Sequence, residues 1–330
     1  MKIFTAVLLL LTGNFLHAQT VKLLAEGSKA SLRGLSVVDN KTVWVSGSNG
    51  TVGLSVDGGN NWKWMTVKGF EKTDFRDIDA FDKTTAVIMG IAAPAYILRT
   101  TDAGETWQVV FENTDKAMFL DAMEFWNEQS GIVIGDPIDG DFFIARTFDG
   151  GKSWQGVPQS GRPQAGIGEA CFASSGTNVR KISKQEAVIV TGGLQSNVIV
   201  RDKKYRLPLM SGRESTGANS IAVKCKKIWM VVGGDFTKKD ARDSTAATSF
   251  DAGKTWTLAK VPPTGYRSCV AFIKKKTWIT CGLNGVDITD DNGATFRNID
   301  RGSFHAVSKA KKGKAVYFSG NGGRIGKLVN

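Results

Sequence analysis

The sequence predicts an all-β protein, a seven-bladed β-propeller whose blades each contain four strands. An eight-residue turn that recurs along the chain and a repeat length that matches one blade both indicate this fold. A lone strand near residue 21, which could complete a seventh blade, is the third indication. The five clear copies of the turn are SVDGGNNW (55–62), TTDAGETW (100–107), TFDGGKSW (147–154), SFDAGKTW (249–256) and TDDNGATF (289–296).

The spacing of these turns indicates the number of blades. Their aspartates are Asp57, Asp102, Asp149, Asp251 and Asp291, separated by 45, 47, 102 and 40 residues. The gap of 102 is two periods long, and the stretch VIVRDKKYRLPL near its middle places Asp202 where a degenerate sixth copy is expected. A period of this length, filled with short alternating segments and glycine turns, is typical of a four-stranded propeller blade.

Each copy of the turn has the chemistry of a self-contained structural unit. The aspartate can accept backbone N–H bonds, and the glycine can adopt a positive φ. The final aromatic residue can pack between neighbouring sheets. We therefore interpret the aspartates of the turns as structural rather than catalytic.

The two ends of the chain are expected to share the last blade. Residues 304–328 show three strands and then stop, whereas VKLL, beginning at Val21, is a strand without a partner of its own. Pairing these segments would close the ring and protect both sheet edges. Residues 19–330 are thus expected to form a single seven-bladed domain.

The first 18 residues have the pattern of a cleavable signal peptide. Lys2 precedes an apolar run from Ile3 to Leu11, and Ala18 is a small residue at which a signal peptidase could cut. The apolar run is shorter than a membrane span requires, and no comparable run follows it. We expect a protein that is periplasmic or secreted, without a membrane span, and monomeric.

Composition limits the possible chemistry. The chain has 330 residues and a formal charge of +12, with basic clusters at residues 274–276 and 309–314 that are expected to be solvated turns. Nucleic acid is not an expected partner of an exported protein. His305 is the only histidine after residue 18, which excludes a multi-histidine metal site. Because the sequence lacks a dinucleotide-binding glycine motif and a haem or copper ligand set, we expect no cofactor and no bound metal.

The chain resembles a known group of propellers. Its turns match the Asp-box, S-x-D-x-G-x-T-W, of the bacterial neuraminidase (BNR) repeat, and five copies occur in register. Together with phrases such as GDPIDGDF, GEACFASSGTN, STGANSIAV and SFHAVS, they make it similar to secreted bacterial BNR-repeat propellers related to the photosystem II stability and assembly factor family. Members are often catalogued as oxidoreductases or glycosyl hydrolases. The resemblance implies a fold and export, and no settled reaction.

Propeller geometry predicts where a functional site would lie. The first strand of each blade lines the central channel, and its start lies at the channel mouth opposite the Asp turns. All seven residues expected at these starts are polar or charged, a richer set than a hydrated channel requires. They are Arg33, Arg76, Asp121, Glu169, Asn219, Arg267 and His305. We expect them to converge on one mouth.

Loops on the same face carry further acidic residues. The candidates for ligand binding among them are Asp136 in GDPIDGD, Asp235 in GGDFTKKDARDST and Asp287 in NGVDIT. Oxygen-rich loops can bind Ca²⁺, but the spacing fits no EF-hand pattern. Solvated loop aspartates are the simpler interpretation.

Two classes of function fit such a mouth. A binding or assembly module would hold an anionic small molecule, a glycan or a protein partner with Arg33, Arg76, Asn219, Arg267 and His305. Alternatively, Asp121 and Glu169 could form the carboxylate pair of a glycoside hydrolase or lyase acting on an acidic carbohydrate. A sialidase is not favoured, because the Arg-Ile-Pro motif that sialidases with this repeat carry near the first blade is absent. Strand alternation would also point Tyr266 and Arg267 to opposite faces, which does not suit a tyrosine nucleophile beside a substrate-binding arginine.

The cysteines allow one disulfide. Cys269 and Cys281 lie six residues on either side of Lys275, so a symmetric hairpin turn would place them opposite each other on adjacent strands. We expect this pair to be bridged or close enough to bridge. Cys171 and Cys225 are expected to be buried thiols.

Overall fold

Seven antiparallel blades arranged around a channel make up the computed structural model, which confirms the predicted propeller. The structure describes residues 19–201 and 203–329. The expected signal peptide at residues 1–18 and Asp202 of the degenerate turn therefore lie outside the described residues. In the described ranges, helix is confined to two 3₁₀ turns, Gln159–Gly161 and Asn321–Gly323.

Blades 1 to 3 each run from an inner strand at the channel to an outer strand at the rim. Blade 1 consists of Leu32–Val37, Val43–Gly47, Thr51–Ser55 and Lys63–Thr66. Blade 2 consists of Phe75–Ala80, Ala86–Gly90, Ala95–Thr100 and Gln108–Asn113. Blade 3 consists of Leu120–Phe125, Gly131–Ile138, Asp141–Thr147 and Gln155–Gly156.

Blades 4 to 6 repeat this plan. Blade 4 consists of Val179–Lys181, Ala187–Val190, Asn197–Val200 and Lys203–Arg206. Blade 5 consists of Thr216–Val223, Trp229–Asp235, Ala246–Ser249 and Thr257–Leu258. Blade 6 consists of Cys269–Lys274, Thr277–Gly282, Gly285–Thr289 and Arg297–Asp300. Two further short strands, Glu169–Ala170 and Gly192–Gly193, pair with each other, and Gly192 joins them to blade 5 at Gly217.

Blade 7 joins the two ends of the described chain, as predicted. Its strands are Ala306–Lys309, Val316–Ser319, Ile325–Val329 and, at the outer edge, Thr20–Ala25. Val21 lies opposite Leu328 in an antiparallel pair. The ring is therefore closed by strand pairing that holds the first described residues to the last ones.

The hydrophobic core lies between the blades rather than within any one of them. Every residue of the second strand Val43–Gly47 is buried, because neighbouring blades cover both faces of its sheet. The outer strand Lys63–Thr66 is mostly exposed. Trp107, at the end of the blade 2 Asp turn, packs edge-on against Trp44 of blade 1 with ring centroids 6.5 Å apart. The aromatic residue of the turn thus joins adjacent blades, as the sequence predicts.

The Asp turns have the predicted internal hydrogen bonds. In blade 1, Ser55 Oγ donates to Asp57 Oδ1 (2.9 Å), and the same Asp57 oxygen accepts the backbone N–H of Asn61 (3.0 Å). The backbone and side chain of Asn61 lower the pKa of Asp57 to about 2. The equivalent carboxylates Asp102, Asp149, Asp251 and Asp291 accept the same kinds of bond. Their carboxylates are used within the turn, which supports a structural role.

Blade 4 differs from these blades at the same position. In each of the five Asp turns, eight residues separate two residues that face each other on the third and outer strands. These flanking pairs are Leu54 and Lys63, Arg99 and Gln108, Arg146 and Gln155, Thr248 and Thr257, and Ile288 and Arg297. In blade 4, Val200 faces Lys203 directly, so only two residues make the connection. The connection of blade 4 is therefore six residues shorter than an Asp turn.

The cysteines follow the predicted strand register with one exception. Cys269 lies directly opposite Cys281, and both are buried free thiols. Their oxidation to a disulfide remains a prediction. Cys171 is buried as expected, whereas Cys225 is exposed, which corrects the expectation of a buried thiol. The reason is its position in the turn between the first two strands of blade 5.

Candidate binding site at the plugged channel mouth

A segment that precedes blade 4 crosses the channel and blocks it. Glu169–Ala170 pairs with Gly192–Gly193, and the inner strand of blade 4 begins only at Val179. We call the intervening residues 171–178, with the sequence CFASSGTN, the plug; all but Phe172 are buried. Glu169 is therefore not the start of an inner strand. The sequence alignment of the blades placed Glu169 at a strand start on the basis of the repeat length alone. In the structure the plug lies between Glu169 and the inner strand of blade 4.

The plug is held by the inner ends of several blades. Its polar groups are paired with blades 1, 5 and 6, as a buried polar segment requires. The bonds run from Arg33 Nη1 to the Ser174 carbonyl (3.2 Å), from Ser174 Oγ to Asn219 Oδ1 (2.5 Å), from Ser175 Oγ to the Ser268 carbonyl (2.8 Å) and from Thr177 Oγ1 to Ser220 Oγ (2.6 Å). These contacts make the plug a fixed floor across the channel.

Gly176 is the tightest point of the plug. Its φ is +63°, a left-handed conformation that glycine adopts without strain. A Cβ added there would lie 2.2 Å from Cγ of Asp77, the carboxyl of the blade 2 inner strand. Both carboxyl oxygens of Asp77 already accept hydrogen bonds, from the backbone N–H groups of Ile78 (2.8 Å) and Met123 (2.7 Å). The plug therefore packs directly on a hydrogen bond that joins blades 2 and 3.

Above the plug lies a cavity of about 370 Å³, which we call the channel mouth. Four of the residues around it were predicted to be site residues: Arg33, Arg76, Asp136 and His305. The remaining lining residues are Phe119, Ala170, Cys171, Phe172, Ala173, Ser174, Phe236, Tyr266, Ser268 and Leu283. The structure thus brings three basic side chains together at one mouth, as expected.

β-Bulges explain how the inner-strand residues come to face inward. The strand register shifts at Arg33, at Arg76, at Asp121 and at Asn219, each of which is the unpaired residue of its inner strand. A bulge of this kind turns an extra side chain out of the regular alternation. Each of these inner strands therefore carries one residue that has no partner on the neighbouring strand.

The basic side of the channel mouth has few negative partners. Arg76 Nε donates to Asp74 (2.8 Å), whereas Arg33 pairs with no carboxylate among the described residues and donates only to the Ser174 carbonyl. Burial and the neighbouring charge of Arg76 lower the pKa of Arg33. Burial, together with the charges of both arginines, lowers the pKa of His305 to about 3. His305 is therefore a neutral hydrogen-bonding group near pH 7, and its Nε2 lies 3.1 Å from Ser31 Oγ.

Two carboxyl groups, those of Asp136 and Asp121, contribute to the electrostatics of the mouth; Asp136 lines it and Asp121 is buried. Burial raises the pKa of Asp136 to about 6, although it accepts the backbone N–H of Cys171 (3.0 Å). Asp121 is completely buried, and its oxygens make no well-aligned hydrogen bond to the described residues. Burial and the charge of Asp136 raise the pKa of Asp121 well above its ordinary value. Asp121 does not line the mouth.

Arg267 does not join the other basic residues, which corrects the expected convergence. It is fully buried within blade 6, where it forms an ion pair with Asp287 and donates to the Tyr266 carbonyl (2.7 Å). Its Nη1 also donates to Asn284 Oδ1 (2.6 Å). Tyr266 instead points into the mouth, because successive residues of an extended chain face opposite sides. Arg267 and Asp287 satisfy each other and lie away from the mouth.

The other predicted residues serve mainly as supports. Asn219 is buried and accepts bonds from Ser174 and from the Tyr266 hydroxyl (2.8 Å). Asp235 is buried and accepts both the backbone N–H and the hydroxyl of Thr237. The Glu169 side chain is fully buried, with an ion pair to Lys204 (2.7 Å). None of these three side chains lines the channel mouth.

Aromatic residues form the wall that sequence reasoning missed. Phe172, Phe236 and Tyr266 stack edge-to-face in a row, with centroid separations of 5.8 Å and 6.4 Å. Phe236 is 42% exposed and lines the mouth, so part of its ring is accessible to a ligand there. Their positions follow from the plug and the blade 5 loop rather than from a repeated pattern. The one available signal was the phenylalanine directly after Asp235 in a glycine-rich loop.

The described part of the chain contains neither a metal-ligand cluster nor a helix suited to crossing a membrane. Residues 19–201 and 203–329 contain no group of three or more His, Cys, Asp or Glu side chains placed to hold a metal ion. The same ranges contain no helix that is long and apolar enough to cross a membrane.

Comparison with solved structures identifies the same fold. No protein-family model and no curated protein sequence matches the chain. A structure titled "YCF48 bound to D1 peptide" is 18% identical with a TM-score of 0.65, covering 95% of this chain and 97% of that chain. YCF48 from Cyanidioschyzon merolae is 16% identical with a TM-score of 0.61, covering 94% and 98%. The WD40 propeller domain of Doa1 is 13% identical with a TM-score of 0.64, covering 94% and 97%.

The YCF48 structures confirm the resemblance to photosystem II assembly-factor propellers that the sequence predicted, at the level of the fold. The WD40 domain of Doa1 has the same architecture, and a shared fold does not establish a shared function. Function must therefore be argued from the residues of the mouth.

Replacing Gly176 by alanine should destabilise the plug. Gly140→Ala is a matched control, because Gly140 also has a positive φ (+88°) but nothing lies within 4 Å of an added Cβ. Both variants acquire left-handed strain, and Gly176→Ala adds overpacking of about 1–3 kcal/mol. Chemical denaturation should show a larger loss of unfolding free energy for Gly176→Ala. Equal losses in the two variants would contradict a tightly packed plug.

Proposed function

We propose that this protein is an exported binding and assembly module that holds a carboxylate-bearing peptide segment of a partner protein in the channel mouth. The observation that carries this proposal is Arg33, a partly buried guanidinium without an ion-pair partner among the described residues. A buried charge without a partner is costly. An anionic group of a ligand would supply the missing partner.

The donors of the mouth suit a carboxylate. A guanidinium can donate two parallel hydrogen bonds to the two oxygens of one carboxylate, a geometry that also orients the ligand. Arg76 lies close enough for its charge to lower the pKa of Arg33, so both can act on one anion. His305 is kept neutral and adds a hydrogen-bonding group without adding charge.

The aromatic wall favours a peptide over a small anion. Phe172, Phe236 and Tyr266 form a continuous apolar surface beside the basic residues, and a peptide can place a side chain against it. A free inorganic anion would use the arginines alone. The YCF48 structure that carries a D1 peptide has the same fold, which supports a peptide as the class of ligand.

The hydrolase alternative has less support in this geometry. A glycoside hydrolase needs two carboxyl groups that face one sugar across an open site. Asp121 is sealed beneath the mouth, and Glu169 is tied to Lys204, Thr191 and Asn197 by hydrogen bonds. Although burial alone would raise it, these bonds lower the pKa of Glu169 below its ordinary value. Neither residue is placed as a general acid at the mouth.

Titration calorimetry with a defined peptide tests the proposal. The probe is an otherwise uncharged peptide of alanine, leucine and one tyrosine with a free C-terminal carboxylate, compared with its C-terminal amide. The carboxylate form should bind at least about tenfold more tightly, since a charge-assisted bidentate bond contributes about 1.5–3 kcal/mol. Arg33→Gln should remove this preference, and Arg33→Lys should retain part of it.

Arg146→Gln is the matched control, because Arg146 is exposed on blade 3 and lies outside the mouth. Its preference for the carboxylate form should equal that of the unchanged protein. Melting curves of all variants separate loss of the ligand from loss of the fold. A folded Arg33→Gln variant with an undiminished preference would show that the mouth does not hold the carboxylate.

Export rests on the pattern of the first 18 residues. We expect the protein to be recovered from the periplasm or the medium with Gln19 as its first residue. N-terminal sequencing of the purified protein measures this directly. A cytoplasmic protein that retains Lys2 would refute export, and the binding proposal would stand independently of that result.

A further inference from the structure

A second concave surface lies at the junction of blades 4 and 5, separate from the channel mouth. It is a groove of about 490 Å³ that shares no residue with the mouth. We call it the blade 4–5 groove. Its lining residues are Ile182, Ser183, Glu186, Val200, Arg201, Lys203 and Tyr205 of blade 4, and Lys226, Trp229, Ala252 and Lys254 of blade 5.

The missing Asp turn of blade 4 explains why the groove occurs here. In blade 1, Lys63 directly follows an eight-residue Asp turn, and its Nζ bonds to the Ala103 carbonyl (3.3 Å) in the turn of blade 2. The equivalent residue of blade 4 is Lys203, which follows a connection of only two residues. Lys203 lines the groove together with Ala252, the residue equivalent to Ala103. The shortened end of blade 4 thus leaves the blade 5 turn partly uncovered.

The lower part of the groove is apolar. Ile182, Val200 and Ala252 line it beside the Trp229 ring, whose Nε1 is already bonded to the Cys225 carbonyl (3.0 Å). The Tyr205 hydroxyl makes no hydrogen bond with other described residues, so it is an available donor and acceptor within the groove. A large apolar side chain could fill this space without leaving a polar group unpaired.

The rim of the groove is basic. Lys203, Lys226 and Lys254 are exposed, and within the described chain none of their ammonium groups forms an ion pair. The single acidic lining residue, Glu186, is paired with Arg201 (2.5 Å). The groove therefore presents three lysine charges that form no ion pair with a carboxylate of the described residues. Such a field attracts acidic segments and disfavours basic ones.

We propose that the blade 4–5 groove binds an acidic peptide segment of a partner protein, with one large apolar side chain in the groove and flanking carboxylates on the three lysines. The apolar floor selects the anchor, and the lysine rim selects its charged neighbours. This site does not depend on the function proposed for the channel mouth. It would give an assembly module a second contact, on a different part of the ring.

A matched pair of charge reversals tests this site. Lys254 in SFDAGKTW and Lys152 in TFDGGKSW hold the same position of two Asp turns, and both are exposed. Only Lys254 lines the groove. Lys254→Glu and Lys152→Glu therefore change the net charge of the protein equally, but only Lys254→Glu changes the charge of the groove.

The probe is the peptide Asp-Glu-Asp-Leu-Asp-Glu-Asp, acetylated and amidated at its ends, with a control in which serine replaces leucine. Fluorescence anisotropy of the labelled peptide at about 0.1 M salt measures its affinity. Lys254→Glu should weaken binding several-fold, whereas Lys152→Glu, with the same change of net charge, should change it less than about twofold. Combining Lys254→Glu with Lys203→Glu should weaken binding by about tenfold or more. The serine peptide should bind several-fold more weakly to the unchanged protein.

Each alternative result overturns the proposal. No binding of the probe, or equal effects of Lys254→Glu and Lys152→Glu, would show only a diffuse positive field. Loss of binding in Arg33→Gln would place the probe in the channel mouth instead. If a single-stranded DNA oligomer bound more tightly than the peptide, and Lys254→Glu weakened that binding equally, the ligand of the groove would be a nucleic acid and not an acidic peptide. Circular dichroism of every variant confirms that the fold is intact.

Discussion

The hydrogen bonds that hold the plug across the channel are the constraint on which the site depends. A seven-bladed ring leaves a central opening, and the inner strands here carry polar side chains toward it. Residues 171–178 fill that opening, and side chains or carbonyls from blades 1, 5 and 6 pair with them. Because buried polar groups must be paired, this segment fits only in one position. The plug thereby converts a channel into a closed-ended pocket.

The plug also sets the electrostatics of the mouth. It helps to bury Asp121, whose pKa is raised well above its ordinary value by burial and by the charge of Asp136, and it gives Arg33 only a neutral carbonyl as its partner. Arg76 is paired with Asp74 and Asp136 also lines the mouth, so Arg33 is the basic group there that has no ion-pair partner among the described residues. Another buried arginine, Arg267, is paired, since it contacts Asp287 inside blade 6. Binding capacity thus lies where the fold has left a charge without a partner.

The sequence was sufficient to predict the parts of the structure that repeat. Five Asp turns and their spacing predicted the blades, and the unpaired strand at Val21 predicted the closure of the ring. Arg33, Arg76 and His305 were placed at one mouth because they hold equivalent positions in three repeats. The position of Glu169 was wrong because an insertion has no counterpart in other blades. Because the repeats already vary in length, the insertion did not change the number of blades predicted from the sequence.

The aromatic wall and the direction of Arg267 required coordinates for related reasons. Phe172 belongs to the plug, and Phe236 belongs to a loop whose path depends on the blade 5 register. Arg267 was aligned one residue out of register, because Cys269 pairs with Cys281 as Gly34 pairs with Ser46 in blade 1. Its side chain therefore lies inside blade 6, and Tyr266 lines the mouth. The shortened turn of blade 4 was visible as a degenerate repeat. Its consequence, a groove beside blade 5, depended on packing.

Titration of His305 by NMR tests the central claim that Arg33 carries a positive charge at the mouth without an ion-pair partner among the described residues. In a chain that lacks residues 1–18, His305 is the only histidine, so its ring resonances are unambiguous. With a pKa of about 3, the ring should remain neutral at pH 5 in the free protein. Saturation with the free-carboxylate peptide should raise this pKa, because the ligand offsets the charges of Arg33 and Arg76. A histidine that titrates near its ordinary value and does not respond to the peptide would contradict the claim.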